Sequence, residues 1–419
     1  MRFKLINISL SMFFIFLNIY AGWGLQHSGR NTLYDIDFPP GTDVAGFSCG
    51  AGSFLLKTTN HGASWDSVLI LASGNFNAVN FPVDTTIGYI ACDSGNIMRT
   101  TDGGGIWEKI PVGFGLEFIY YGIHFPNNED IGYIVGTGGA TSGGIIAKTE
   151  NAGDNWTVLL SWQPFDFYDV YFVNLNEGWA IGTNGNILHT SDGGLNWEPQ
   201  NSGVTADLND VYFRDALNGW IVGNAGICLS TTNGGQTWNT VSIPFAGIRF
   251  YSVIFPVDLN TGYVCGRSGK IARTTDGGIT WDTTSVDPPI TLYGIEFPQN
   301  DSIGWVCGQD EAIFYTTDGG TWIEEKNLRQ VVGEKVFSCA PNPLHSNTVI
   351  KFGKPLNVNA TLKLYDAKGE LVRTLALNNS GEVNWDGRNE LNQRVKSGVY
   401  LVELIHNGVT QRQKLIVLE

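Results

Sequence analysis

Short apolar segments separated by turn residues run through most of the chain. Apolar and polar residues alternate over Phe250–Phe255, and two further apolar segments follow at Thr261–Gly266 and Lys270–Thr274. Trp281 opens a fourth segment, which ends at Thr283. Alternation with a period of two residues predicts β-strands, and no segment shows the sustained period of a helix. This stretch therefore predicts four short antiparallel strands.

The same order of segments recurs seven times. Each copy ends in a tryptophan, and successive tryptophans are 42, 49, 41, 41, 43 and 41 residues apart: Trp65, Trp107, Trp156, Trp197, Trp238, Trp281 and Trp322. A fixed period near this length indicates repeated supersecondary units. Seven units of four short strands predict an all-β chain with a seven-bladed β-propeller over residues 22–330.

A turn of recurring composition precedes each tryptophan. Asp or Asn holds one position in all seven copies: Asn60, Asp102, Asn151, Asp192, Asn233, Asp276 and Asp318. We expect its side chain to hydrogen-bond the backbone two residues on and so to hold a tight turn. In six copies a glycine follows two residues later, where we expect a positive φ, and the tryptophan then buries a large apolar surface. These residues are predicted to serve stability.

The stretch Thr274–Trp281 resembles the Asp-box of the bacterial neuraminidase repeat, Ser/Thr-x-Asp-x-Gly-x-Thr-Trp. In that family the box is a structural hairpin away from the active site, which implies the same role here. The wider pattern is Gly-Tyr/Trp-x-x-Gly followed by Gly-x-Ile-x-x-Thr-x-Asp-Gly-Gly-x-x-Trp. It resembles the photosystem II stability and assembly factor propellers from residue 23 to about residue 326. That resemblance implies the propeller fold and a protein-binding scaffold.

The segment Trp23–Gly29 resembles Trp197–Gly203, the fourth strand and exit turn of a repeat, yet no strands of its own precede it. This pattern predicts ring closure, in which the first strand of the chain supplies the outer strand of the last blade. Trp322 and the residues after it compete for the same place, and the sequence does not decide between the two.

The repeat stops near residue 331, and residues 331–419 alternate as strands with hairpin turns, which predicts a small Ig-like β-sandwich. This tail resembles the type A C-terminal sorting domain of the type IX secretion system. The matching residues include Pro341, Asn342, Pro343, Gly398, Tyr400 and Lys414. The resemblance implies the type IX secretion machinery as a partner. An ordinary Ig-like accessory domain is the alternative.

Residues 1–21 begin with Arg2 and Lys4, continue as a short apolar run and end at Ala21, which predicts a secretory signal peptide. The protein is therefore predicted to be exported, to the outer membrane surface or the extracellular space, with no transmembrane segment in the mature chain. The formal net charge of −15 argues against nucleic acid as a partner. No cofactor or metal motif is present, and Cys49, Cys265 and Cys307 are predicted to be free core thiols.

One repeat position, at the start of the first strand of each blade, collects five tyrosines. The next position holds three aspartates, and together these residues are Tyr34, Asp35, Tyr121, Tyr168, Asp169, Asp210, Tyr251 and Tyr293. If the usual course of a propeller holds, they surround the mouth of the central channel. The eight-residue stretch Thr137–Gly144 is a longer connection than its counterparts and should lie on the same face. We interpret this mouth as the binding site for a surface protein or a glycan. Packing of the tyrosines between blades is the alternative.

A glycoside hydrolase, either sialidase-like or a glucan hydrolase, is the competing hypothesis. Sialidases hold a carboxylate with three arginines, but Arg99 and Arg273 occupy one repeat position, as expected for a strand edge. Glucan hydrolases of the inverting type need two opposed carboxylates, which only the three aspartates of the mouth could supply. The sequence singles out no catalytic residue, and the interpretation leans toward a binding protein.

Overall fold

The computed structural model describes residues 22–115, 118–126, 128–138, 143–245, 247–320, 337–340, 344, 346–352, 360–366, 371–376, 382–406 and 409–418. The chain divides into two compact units, Met1–Trp322 and Ile323–Glu419. The predicted boundary at residues 330–331 lies outside the described residues, as do Trp322 and Pro341–Pro343.

The described part of the first unit contains seven antiparallel sheets of four strands, each ordered from an inner to an outer strand. Blades 1 to 4 comprise β2 (Leu33–Asp37), β3 (Gly46–Gly50), β4 (Phe54–Thr58), β5 (Asp66–Ser67), β6 (Phe76–Asn80), β7 (Gly88–Cys92), β8 (Asn96–Thr100), β9 (Glu108–Pro111), β10 (Ile119–His124), β11 (Gly132–Thr137), β12 (Gly144–Thr149), β13 (Thr157–Gln163), β14 (Phe167–Phe172), β15 (Gly178–Gly182), β16 (Asn186–Thr190) and β17 (Glu198–Asn201). Blades 5 to 7 comprise β18 (Leu208–Phe213), β19 (Gly219–Gly223), β20 (Cys228–Thr231), β21 (Asn239–Thr240), β22 (Phe250–Ile254), β23 (Gly262–Gly266), β24 (Lys270–Thr274), β25 (Asp282–Ser285), β26 (Leu292–Glu296), β27 (Gly304–Gly308), β28 (Ile313–Thr316) and β1 (Gly24–His27). The inner strands contact one another in a closed ring, since β26 contacts β2. The predicted seven-bladed propeller is confirmed.

Aromatic side chains join each blade to the next. The ring on the second strand of one blade stacks on a phenylalanine at the end of the next inner strand, at centroid distances between 3.4 and 4.2 Å: Phe47–Phe81, Tyr89–Phe125, Tyr133–Phe172, Trp179–Phe213, Trp220–Phe255, Tyr263–Phe297 and Trp305–Phe38. Each phenylalanine also meets a tryptophan of its own blade edge to face. These stacks bury large apolar rings at every joint of the ring.

A glycine at the start of each second strand makes room for this stack. A Cβ on Gly262 would lie 2.4 Å from the ring of Phe255, which no ordinary contact allows. The equivalent glycine in every other blade also faces the phenylalanine of its own blade. The Gly-Tyr/Trp pattern of the sequence is therefore explained by the close approach of a backbone to an aromatic face.

The Asp-box turns are held by a threonine as well as by the Asp or Asn. In blade 6 the Thr274 hydroxyl donates to Asp276 Oδ1 over 2.9 Å and accepts from the Gly278 amide at 2.9 Å. Asp276 Oδ1 also accepts from the Thr280 amide at 2.8 Å. The carboxylate thus accepts the amide four residues on. The expectation from the sequence, a bond to the backbone two residues on, was wrong. Three turn residues lie between Asp276 and Thr280, and one of them, Gly278, adopts φ +92° as predicted.

The ring closes through the first strand of the chain. β1 pairs with β28, so Gly24–His27 forms the outer strand of blade 7. Trp23 lies edge to face with Phe297 at 5.9 Å, the place that Trp281 takes against Phe255 in blade 6. Of the two candidates left open by the sequence, the described structure therefore favours Trp23.

The described residues of the second unit form two facing sheets. One contains β29 (Phe337–Ala340), β30 (Thr348–Phe352) and β33 (Glu382–Trp385), and the other contains β31 (Ala360–Tyr365), β32 (Leu371–Leu375), β34 (Gly398–His406) and β35 (Val409–Val417). Ile350 and Trp385 of the first sheet pack with Leu364 and Val402 of the second in one buried core. Gly398 opens β34, Lys414 pairs with Leu401, and the Tyr400 hydroxyl donates to Lys396 O. The predicted Ig-like sandwich is confirmed.

Replacing Trp281 with alanine is expected to lower the free energy of unfolding by about 3–5 kcal/mol, because the indole is only 6 % exposed and lies against Phe255. Ile279→Ala is the matched control two residues away, where the side chain is 82 % exposed, and it should change stability by less than about 0.5 kcal/mol. Chemical denaturation measures both. Equal losses in the two variants would show that the box tryptophan is not a core residue.

Candidate functional site

The five tyrosines at the start of the inner strands form two clusters. Tyr293 contacts Tyr34 and Tyr251 at centroid distances of 5.6 and 4.6 Å, and we name these three residues the major tyrosine cluster. Tyr121 and Tyr168 contact each other at 5.5 Å and form the minor tyrosine cluster. All five side chains are half-buried, so each ring keeps an exposed part.

Asparagines separate the two clusters. Asn77 of blade 2 donates to Tyr120 O at 2.9 Å, and Asn209 of blade 5 donates to Phe250 O at 2.6 Å. Each bond ties the inner strand of one blade to the next. The ring of tyrosines is therefore interrupted at two places, where the short side chain links the blades and leaves no aromatic surface.

Charges around the mouth differ between the clusters. The Arg249 guanidinium lies 5.8 Å from the Tyr251 ring, and Arg267 and Arg249 partly offset the rise that burial causes in the pKa of Tyr293. Burial raises the pKa of Tyr168, and the nearby Asp207 and Asp166 raise it further, with Arg249 acting in the opposite direction. Asp93 acts on both Tyr34 and Tyr121. The basic residues thus lie nearest Tyr251 and Tyr293, and acidic residues lie near the other three tyrosines.

The base of the third-blade insertion lies at the same end of the propeller. Thr137 pairs with Ile119 on one side and with Gly144 on the other, and Ile119 lies two residues from Tyr121. Gly138 donates to Gly143 O over 2.8 Å and closes the base of the loop. Residues 139–142 lie outside the described part of the chain. The insertion therefore begins and ends beside the minor tyrosine cluster.

The three predicted aspartates lie apart from the tyrosine rings. Asp35, Asp169 and Asp210 line a channel cavity of about 510 Å³, and none of the five tyrosines lines it. Each carboxylate accepts a backbone amide of the next blade: Asp35 from Val79 at 2.8 Å, Asp169 from Val211 at 3.0 Å and Asp210 from Val253 at 2.6 Å. The structure therefore gives the aspartates a role in joining the inner strands.

Further polar groups of the channel were missed from the sequence. Asp37 accepts the Phe81 amide at 2.6 Å, and the His124 Nε2–H donates to Phe172 O over 3.0 Å. Glu296 lines the same cavity. Each lies two residues after the aspartate position in its own blade, so the period of two was the signal that could have found them.

Burial controls the ionisation of these groups. It raises the pKa of Asp35 to about 8 and of Asp37 to about 7, and it raises the pKa of Glu296 well above its usual range. Burial lowers the pKa of His124 to about 4, so the imidazole is neutral at pH 7. A channel with five carboxyls thus carries far less charge near neutrality than its composition indicates.

The arginines considered for a sialidase triad link blades. Arg99 donates to Ala152 O at 2.8 Å and pairs with Asp154 at 2.6 Å, both in blade 3. Arg273 of blade 6 lies 3.7 Å from Asp301 of blade 7. The two guanidiniums stand in different blades and make different pairs, so they do not converge on one carboxylate.

Within the described residues, no three His, Cys, Asp or Glu side chains stand close enough together to hold a metal ion. No described helix has the length and apolar character needed to cross a membrane. Cys49, Cys265 and Cys307 are buried and form no disulfide, as predicted for core thiols.

Comparison with known families identifies the propeller. The model of the photosynthesis system II assembly factor YCF48 family matches residues 21–161, 160–246 and 238–335. The chain belongs to this family. A second model, the FlgD Ig-like domain, matches residues 354–407 in the C-terminal unit. The family match shows the resemblance noted in the repeats, whereas the tail is shown only to be Ig-like.

Solved structures share the propeller fold. The YCF48 bound to D1 peptide is 21% identical, with a TM-score of 0.60, over 71% of this chain and 97% of that one. YCF48 from Cyanidioschyzon merolae is 22% identical, with a TM-score of 0.58, over 71% and 98%. A catalytically inactive virginiamycin B lyase from Staphylococcus aureus with quinupristin is 12% identical, with a TM-score of 0.57, over 70% and 99%. No curated protein matches the chain. These likenesses establish the fold.

The raised pKa of Asp37 predicts a pH-dependent cost to stability. The carboxyl titrates near 3.8 when unfolded and near 7 when folded, so its stabilising contribution is complete below pH 4 and falls away as pH rises to about 7. Asp37→Asn keeps an acceptor for the Phe81 amide and cannot ionise. We expect this variant to unfold with a smaller decline in free energy between pH 4 and 7 than the parent, measured by urea titration.

The control for this measurement is Asp276→Asn. Hydrogen bonds from Thr280 lower the pKa of Asp276, so its contribution to stability is present above its unfolded pKa and is lost only as pH falls. The decline between pH 4 and 7 should therefore persist in Asp276→Asn. An unchanged decline in Asp37→Asn would mean that the channel carboxyl is already ionised in the folded protein.

Proposed function

We propose that the protein is an exported, non-catalytic scaffold whose channel mouth binds an extended segment of a partner protein. The observation that carries this proposal is the pair of half-buried tyrosine clusters around the mouth. Tyrosine offers a wide contact surface with few rotatable bonds and a hydroxyl for hydrogen bonding, and it is enriched at binding hot spots. A solved propeller of the same fold carries a bound D1 peptide, which supports a peptide as the occupant.

The charges around the mouth favour a peptide that lies across it in one direction. Arg249 and Arg267 adjoin the major tyrosine cluster, and Asp166 and Asp207 adjoin the minor one. An acidic residue of the partner would be attracted to the first side and a basic residue to the second. Complementary charges at the two ends of a groove fix the register of a peptide more than they add to its affinity.

The glycoside hydrolase hypothesis is less well supported by the geometry. Asp169 and Asp210 are interacting acids in the channel, but each accepts a backbone amide of the neighbouring blade. Burial raises the pKa of both, with the charge of Asp210 adding to the rise for Asp169. A pair held by these backbone bonds joins the inner strands, as Asp35 does.

Binding can be tested without knowing the natural partner. A random-peptide library displayed on phage is selected on the immobilised protein, and the dissociation constant of the best peptide is measured. The double variant Tyr251→Ala/Tyr293→Ala is expected to weaken this peptide at least about tenfold, because it removes the core of the major tyrosine cluster. Tyr315→Ala, a half-buried tyrosine on a third strand, is the matched control and should bind normally.

Two results would overturn the proposal. Full affinity in the double variant would place the site elsewhere on the propeller. Hydrolysis of a glycan by the parent protein, abolished in Asp169→Asn, would establish the hydrolase instead. The parent is therefore assayed on a panel of sialylated and β-glucan substrates in the same preparation.

We also propose that the C-terminal unit directs export through the type IX secretion machinery. The sequence motifs of the tail, which follow one another from Pro341 to Lys414, support this proposal, and the Ig-like match is compatible with it. Deleting residues 336–419 in the native host is expected to leave the propeller in the periplasm, measured by cell fractionation. The truncated protein must keep the thermal transition of the parent propeller, which excludes misfolding as the cause. Normal surface display after the deletion would contradict the proposal.

A further inference from the structure

The seventh Asp-box differs from the other six in how it is completed. Its segment Thr316–Trp322 is one residue shorter, and β1 pairs beside it. The Gly22 amide lies 3.3 Å from Asp318 Oδ1 and 3.2 Å from Asp318 Oδ2. In blade 6 the corresponding donor to Asp276 is the Thr280 amide at 2.8 Å. Gly22 therefore takes the place of Thr280, although nearly the whole propeller separates it from Asp318 in sequence.

The residue after Gly22 completes the correspondence. A Cβ on Gly320 would meet the Trp23 indole, just as one on Gly278 would meet the Trp281 indole. The Thr316 hydroxyl donates to Asp318 Oδ1 at 2.8 Å and accepts from the Gly320 amide at 2.8 Å, as in the other boxes. The seventh box is thus assembled from two distant segments, Gly22–Trp23 and Thr316–Gly320.

Gly22 is also the residue that follows the predicted signal peptide. Within a continuous chain its nitrogen has one hydrogen to offer to two carboxylate oxygens. If the chain begins at Gly22, the same nitrogen is an ammonium group with three hydrogens and a positive charge. Charge-assisted hydrogen bonds to a carboxylate are shorter and stronger than those from a neutral amide.

We propose that Gly22 is the mature amino terminus and that its ammonium group binds both oxygens of Asp318, so that removal of the leader completes the seventh Asp-box and strengthens ring closure. The step is hydrolysis of the Ala21–Gly22 peptide bond by a leader peptidase of the export pathway. Water adds across the bond, Ala21 leaves with a carboxylate and Gly22 gains an amine that is protonated at neutral pH. This inference rests on the export part of the proposed function and is independent of the peptide site.

Other ionisable groups of the described structure lie in the same region. Arg273 lies 3.7 Å from Asp301, and both act with Asp318 on Tyr263. Burial raises the pKa of Tyr263 to about 12, so its hydroxyl is neutral over the range in which an amine titrates. The amine of Gly22 would be the group that titrates near pH 8, and pairing with a carboxylate would raise that value.

The test compares two forms of residues 22–419. One form has a free Gly22 amine, released from a fusion by a protease that leaves no extra residue, and the other is acetylated at Gly22. Asp318→Asn and Asp276→Asn are made in both forms, and urea unfolding gives the folding equilibrium constant. Asp318→Asn is expected to lower this constant at least fivefold more in the free form than in the acetylated form. Asp276→Asn, the matched box aspartate, should have the same effect in both.

A pH titration of the free form provides a second measurement should the acetylated protein fail to fold. A group with a raised folded pKa loses its stabilising contribution as pH rises through that value. The free form is therefore expected to lose stability from about pH 8 upward, and Asp318→Asn but not Asp276→Asn should abolish this loss.

Three outcomes would overturn the inference: equal effects of Asp318→Asn in the two forms, a pH profile unchanged by Asp318→Asn, or a mature terminus other than Gly22. The terminus is determined by mass spectrometry of the protein exported by its native host. The affinity of the selected peptide is measured on every form. The tyrosine clusters lie at the opposite end of the inner strands from the Asp-boxes. A loss of peptide affinity therefore leaves the Gly22–Asp318 pair unaffected, and a loss of that pair leaves the peptide affinity unaffected.

Discussion

Aromatic stacking between neighbouring blades is the interaction on which the rest of this structure depends. A propeller blade cannot bury both of its faces alone, and here each joint is filled by a ring from one blade lying flat on a phenylalanine of the next. The box tryptophan covers the edge of that phenylalanine. The glycine before each stacked ring and the turn before each tryptophan are consequences of this packing, because both bring a backbone close to an aromatic face.

The aromatic stack between blades uses the same residue types in every blade. The residues at the start of the inner strands, by contrast, differ from blade to blade. The repeat position near the start of the inner strand is tyrosine or asparagine, and either a ring contact or a hydrogen bond to the next blade results. The inward-facing position beside it is acidic in blades 1, 4 and 5, where the carboxylate accepts a backbone amide from the inner strand of the next blade. Along a single strand, the tyrosines therefore keep exposed surface, whereas the aspartates join the blades.

The architecture could be predicted from the sequence because it follows from local and periodic signals. The tryptophan spacing gave the number of blades, and the alternation in Phe250–Phe255 gave the strand type. The hydrogen-bond partner of the Asp35 carboxylate could not be predicted, because whether a channel side chain reaches the next blade depends on the distance between two inner strands. Likewise, the sequence left open whether Trp23 or Trp322 belongs to the outer strand of blade 7. The structure favours Trp23 through strand pairing across nearly the full length of the propeller. The role of the threonine that opens each box was missed for a simpler reason, since its sequence position alone does not show that one hydroxyl both donates and accepts.

The pairing of β1 with β28 also sets an order of events in folding. Blade 7 has no outer strand until residues 313–316 are available to Gly24–His27, so the last contact of the ring is among the most distant in the chain. Contacts of such long range form slowly, because the chain loses the entropy of closing a large loop before the contacts contribute any stabilising free energy. While the chain is being synthesised, β1 and Trp23 are therefore present without their partners until β28 and Phe297 have been made. Completion of the ring is thus placed after nearly the whole propeller exists.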